Sequence, residues 1–86
     1  MELTPEQRQW LRVLQLVLIE IRALEDQNLA RARDLANIMH NVPMALFSTP
    51  ESWAGAKKAL FARAEHVGLR SYLENLVAHC APEDIA

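Results

Sequence analysis

The feature that most constrains the fold is a set of apolar side chains that recur every three or four residues over positions 5–25. At about 100° per residue, this spacing places them on one face of an α-helix. The members of the stripe are Trp10, Leu14, Val17, Ile21 and Leu24, with Leu11, Leu18 and Val13 at its edges. A helix with so wide an apolar face needs packing partners, so the rest of the chain has to supply them.

Local signals predict where those partner helices begin and end. Residues typical of helix starts are Thr4 before Pro5, Asp26 or Asn28, and Ser48 or Thr49 before Pro50. Residues typical of helix ends are Asn41 ahead of Val42 and Pro43, then Gly68, then Pro82. The sequence therefore predicts an all-α fold: a compact four-helix, mostly antiparallel bundle with helices over about 5–25, 28–40, 50–67 and 69–80. Met44 to Phe47 is expected to form a short bridge, one helical turn started by Pro43.

Composition indicates the domain organisation of the chain and the cellular compartment in which it is expected. With 86 residues, the chain is expected to be a single helical domain, 1–86, whose short C-terminal tail at 82–86 frays. A single cysteine excludes an internal disulfide and is typical of a reducing compartment. The start lacks a secretory pattern, and no apolar run approaches the ~20 residues of a membrane span. We therefore expect a cytoplasmic protein without membrane contact.

Charge and motif content argue against several classes of function. Nine basic and eleven acidic residues are spread along the chain, with a net charge of −2, so no strong basic face is expected for nucleic acid. Arg31 and Arg33 on helix two leave a small nucleic-acid-binding regulator as the alternative function. The histidines and Cys80 lack metal-ligand spacing, and no phosphate-binding loop occurs. We expect no metal, no cofactor, no small-molecule ligand and no enzymatic activity.

The end of helix two is chemically unusual. His40 and Asn41 could form a polar ligand site at a helix end, or they could simply terminate the helix. In the second interpretation His40 interacts favourably with the helix dipole, Asn41 tolerates a left-handed conformation and Pro43 prevents continuation. Termination chemistry accounts for each residue, so we favour it.

The same segment resembles a group of small uncharacterised bacterial α-helical proteins with an Ala-Asp-x-x-His-Asn-x-Pro-like motif. In those proteins, a Trp and a Leu-x-x-Tyr-like helix follow. The corresponding residues here are Ala36 to Pro43, then Trp53 and the segment around Tyr72, with Asn37 where the motif has Asp. The resemblance implies a recurring bacterial helical scaffold, and it transfers no catalytic residue.

Apolar residues outside the predicted core suggest a contact surface. Leu16 and Ile19 are expected to project among the polar side chains of helix one, while Met44 and Phe47 add apolar area after helix two. A helix that is apolar nearly all round is either central in its domain or covered by another chain, and a small domain cannot easily enclose one. The sequence thus predicts a non-enzymatic cytosolic protein-interaction module of the immunity, antitoxin or adaptor type. It would self-associate as a homodimer or bind a protein partner through helix one.

Overall fold

The structure is a computed structural model that describes residues 2–81, and its regular elements there are all helices. They are α1 (Pro5–Leu24), α2 (Leu29–Met39), α3 (Val42–Leu46), α4 (Pro50–His66) and α5 (Arg70–His79). The predicted all-α bundle is confirmed: four long helices lie within about two residues of their expected ends. The expected bridge is also one helical turn, α3, although it begins at Val42 rather than Met44. The predicted frayed tail at 82–86 lies outside the described residues.

The helix starts follow from local hydrogen bonding. The Thr4 hydroxyl accepts from the Gln7 backbone N–H at 3.0 Å, and the Gln7 side chain accepts from the Thr4 N–H at 2.9 Å, which makes a complete capping box. Of the alternatives left open by the sequence, Asn28 caps α2 and Thr49 caps α4. Each cap satisfies a backbone donor that the first turn of a helix leaves without an intrahelical partner.

Gly68 turns the chain between α4 and α5. Its φ of 76° lies in the left-handed region, which glycine adopts without a steric penalty. The Leu69 N–H then donates to the Ala64 carbonyl at 2.7 Å, closing the end of α4.

The core is centred on aromatic rings from α1 and α4. The Trp10 ring meets that of Trp53 edge-to-face at a centroid distance of 5.2 Å, and that of Phe61 at 6.1 Å. Val13 and Val17, both fully buried on α1, continue the core along the helix. Every helix contributes buried apolar side chains to this one cluster, so the bundle has one continuous core. Among the described residues, no helix is long and apolar enough to cross a membrane.

Candidate interaction surface

The buried face of α1 differs from the sequence expectation in its orientation. Trp10, Val13 and Val17 are the buried residues, so the buried line is rotated by roughly 30° from the predicted stripe at 100° per residue. Leu16, expected among the polar side chains, is half-buried against the core, whereas Leu18, expected beside the core, is 52 % exposed. Both expectations are corrected.

The helix α5 packs on the Leu16 side of α1. Gln9 lies two turns before Leu16 on the same side of α1, and its Nε2 donates to the Val77 carbonyl of α5 at 3.0 Å. Glu20, one turn after Leu16, acts on Tyr72 of α5: burial, and then the nearby Glu20 charge, raise the pKa of the tyrosine hydroxyl. The helix α5 therefore lies along the Leu16 side of α1, whereas Leu18 on the opposite side stays over half exposed.

The opposite edge of α1 carries a strip of apolar side chains, which we call the α1 strip: Leu11, Leu14, Leu18 and Ile21. Their spacing of three, four and three residues is that of the contact positions in a coiled coil. Leu18 is over half exposed, and the other three are half-buried. Ile19 is 59 % exposed, as the sequence predicted, and its side chain points about 100° away from that of Leu18.

Met44 and Phe47 form a separate apolar surface. On and just after α3, they are 82 % and 44 % exposed. The neighbouring Leu46 carbonyl lies 3.4 Å from Gln7 Nε2, which places α3 beside the first turns of α1. Ile19 is twelve residues further along that helix, about 18 Å at 1.5 Å per residue. The structure therefore does not bring the four predicted partner-binding residues together in one patch.

His40 and Asn41 lie at a corner between α2 and α3, with both side chains exposed. The φ of Asn41 is −95°, so this residue does not adopt the left-handed conformation that asparagine tolerates. Because its carbonyl accepts from the Ala45 N–H at 2.9 Å, Asn41 begins α3 instead of closing α2 with a reversed turn. It also lines a depression of about 40 Å³ with Arg63 and Ile38, which has room for water but not for an organic ligand.

The other candidate residues of the sequence do not converge. Arg31 and Arg33 are both exposed on α2. Because they are two positions apart on a helix, their side chains are separated by about 200° of rotation around the helix axis. They do not form one phosphate-binding patch. Cys80 is buried in the core. Over residues 2–81, no group of three His, Cys, Asp or Glu side chains is arranged to hold a metal ion.

Sequence reasoning missed a polar cluster between the starts of α1 and α4. Lys57 Nζ lies 2.7 Å from the Glu6 carboxylate and 5.8 Å from the centre of the Trp53 ring. This bond to Lys57 lowers the pKa of Glu6 below its usual 4.5, partial burial opposes the change, and a weaker hydrogen-bonding interaction with the Trp53 side chain adds to the lowering. Glu6 and Lys57 are 51 residues apart in the chain, and no local pattern links them.

Trp53 itself has an unusual environment in this cluster. Its indole N–H is buried and has no hydrogen bond of acceptable geometry to any residue in the described part of the chain. It does approach Glu6 closely enough to influence the carboxylate. A buried donor without a well-formed hydrogen bond is uncommon in folded proteins.

No protein-family model matches the sequence, and neither a curated protein nor a solved structure is significantly similar to it. Its function is therefore inferred from the geometry of the chain.

Proposed function

We propose that this protein is a non-enzymatic interaction module that self-associates through the α1 strip and Ile19. The observation that carries the proposal is that an apolar strip with coiled-coil spacing continues from the core of α1 onto its surface. Isolated exposed apolar residues are ordinary on soluble proteins. Here the exposed Leu18 adjoins the half-buried Leu11, Leu14 and Ile21, and a contiguous apolar area of this kind is typical of a contact surface.

A second copy of the chain suits this strip better than an unrelated protein partner does. A helix with contact positions at three- and four-residue spacing packs side by side with another such helix. A two-fold axis across α1 would place each Leu18 against the strip of the partner, because a symmetric dimer uses the same patch twice. The strip spans Leu11 to Ile21, about 15 Å along the helix axis, which predicts a modest and reversible interface.

The proposed setting is the cytoplasm, because a single cysteine, buried here, is typical of a reducing compartment. Under this proposal the chain is an adaptor or immunity-type protein that acts as a dimer and does not use a catalytic centre.

The oligomeric state, measured by analytical ultracentrifugation or by light scattering coupled to size-exclusion chromatography, tests the proposal. We expect the wild-type protein to be dimeric at high concentration and the Leu18→Glu and Ile19→Glu variants to be monomeric with unchanged helix content. Ala62→Glu is the matched control, because Ala62 is exposed on α4 and lies outside the strip. A wild-type protein that stays monomeric at millimolar concentration would refute self-association, and so would Leu18→Glu and Ile19→Glu variants that remain dimeric.

A further inference from the structure

The polar cluster around Glu6 forms the wall of a cleft at the end of the bundle away from Ile19. The cleft has a volume of about 270 Å³ and opens between Thr4 at the start of α1, Thr49 at the start of α4, and Leu46 at the end of α3. Typical pockets for drug-sized molecules occupy about 300–1,000 Å³, so this cleft suits a smaller ligand.

Opposite charges stand side by side at this cleft. The Lys57 side chain is 36 % exposed and that of Glu6 is 45 % exposed, so both remain within reach of solvent and of a ligand. Ion pairs this exposed contribute little to stability, because water screens the attraction and the long side chains lose conformational freedom. A ligand with its own pair of charges can therefore replace the contact between Glu6 and Lys57 without destabilising the bundle.

Two further features favour a carboxylate beside Lys57. The starts of α1 and α4 both border the cleft, and the partial positive charge of a helix N-terminus attracts anions. The Trp53 side chain, 7 % exposed, also lines the cleft, and its buried indole N–H makes no hydrogen bond of good geometry within the described residues. This donor lies close to Glu6, so displacement of the Glu6 carboxylate would open it to a new acceptor.

We propose that the cleft between the starts of α1 and α4 binds a small zwitterion of amino-acid size. Lys57 and the Trp53 indole N–H receive the carboxylate of the ligand, and Glu6 receives its ammonium group. Leu46, Pro50 and Ala54 supply the apolar part of the wall, which suits an aliphatic side chain. The site is independent of the α1 strip, so dimerisation and ligand binding can fail separately.

NMR titration of the intact protein tests this site, with L-leucine, 4-methylpentanoate and 3-methylbutylamine as probes. The last two keep the aliphatic chain of leucine and lack its ammonium or its carboxylate. We expect leucine to shift the Trp53 indole resonance saturably and each analogue to bind roughly tenfold or more weakly, since each loses a charge-assisted contact. An analogue that binds as well as leucine, or no saturable shift with leucine, would overturn the proposal.

Substitutions separate a zwitterion site from a simple anion site. We expect Glu6→Gln and Lys57→Gln each to weaken leucine binding, whereas Lys58→Gln, an exposed lysine on α4 outside the cleft, leaves it unchanged. If Glu6→Gln instead strengthens leucine binding, Glu6 competes with the ligand and the zwitterion assignment is wrong. Far-UV circular dichroism of each variant verifies that the helices are retained.

Discussion

The unpartnered indole N–H of Trp53 allows a stringent test of the core. Trp10 and Trp53 are both buried, at 2 % and 7 % exposure, and their rings are in edge-to-face contact. Replacing either with Phe removes the same atoms and keeps an aromatic ring. The two substitutions differ in that one of them also removes a buried donor that has no partner within the described chain.

The expected magnitudes follow from this difference. Trp10→Phe leaves a small cavity and loses buried apolar surface, which should lower the free energy of unfolding by about 1–3 kcal/mol. Trp53→Phe has a similar loss, but it also removes an unsatisfied donor whose burial costs about 1–3 kcal/mol. The two terms offset each other, so we expect Trp53→Phe to be close to wild type. In a domain of this size, a difference of 1 kcal/mol corresponds to about 4–8 °C in Tm.

Urea unfolding followed by far-UV circular dichroism measures both variants without relying on the tryptophan signal that each one alters. The reasoning is refuted if Trp53→Phe is destabilised as much as Trp10→Phe. In that case the indole N–H is satisfied in solution, and Glu6 is the nearest candidate acceptor. A double-mutant cycle of Trp53→Phe with Glu6→Ala would then show a coupling above about 0.5 kcal/mol.

The remaining predictions concern backbone conformation and charge. Gly68→Ala should lower the free energy of unfolding by about 1–2 kcal/mol, because a Cβ is strained at a φ of 76°. Gly55→Ala in the middle of α4 should raise it by about 0.5–1 kcal/mol, because no neighbouring atom lies within 4 Å of the added Cβ; urea titrations that give the two variants the same sign would contradict the assigned backbone. The lowered pKa of Glu6 means that its bond to Lys57 stabilises the fold above about pH 4.5, and that this contribution is lost as the pH falls through the lowered value. Glu6→Gln should therefore reduce the free energy of unfolding at neutral pH by less than about 1 kcal/mol, because Glu6 and Lys57 are both exposed. The variant should also lose less stability than the wild type as the pH falls below about 4.5. Superimposable curves of unfolding free energy against pH for the two proteins would exclude this contribution.

The helices and their ends could be predicted from the sequence because they depend on neighbouring residues. The capping box of Thr4 and Gln7 and the left-handed Gly68 act over a few positions, and both are present in the structure as expected. Asn41 shows the limit of this reasoning. Its residue type permits a left-handed conformation, but the start of α3 imposes a right-handed one.

The candidate surfaces depended on tertiary structure. The apolar arc of α1 is wider than the core needs, so the sequence alone left open which edge would be covered. The fold decided it: α5 lies on the Leu16 side, where Leu16 is half-buried, and Leu18 on the other side remains exposed. The cleft likewise arises because the fold brings Glu6 and Lys57 together across 51 residues, a contact that no short-range pattern encodes. Local hydrogen bonding and periodicity thus determined the helices, and the packing of one helix against another decided which side chains remain available for binding.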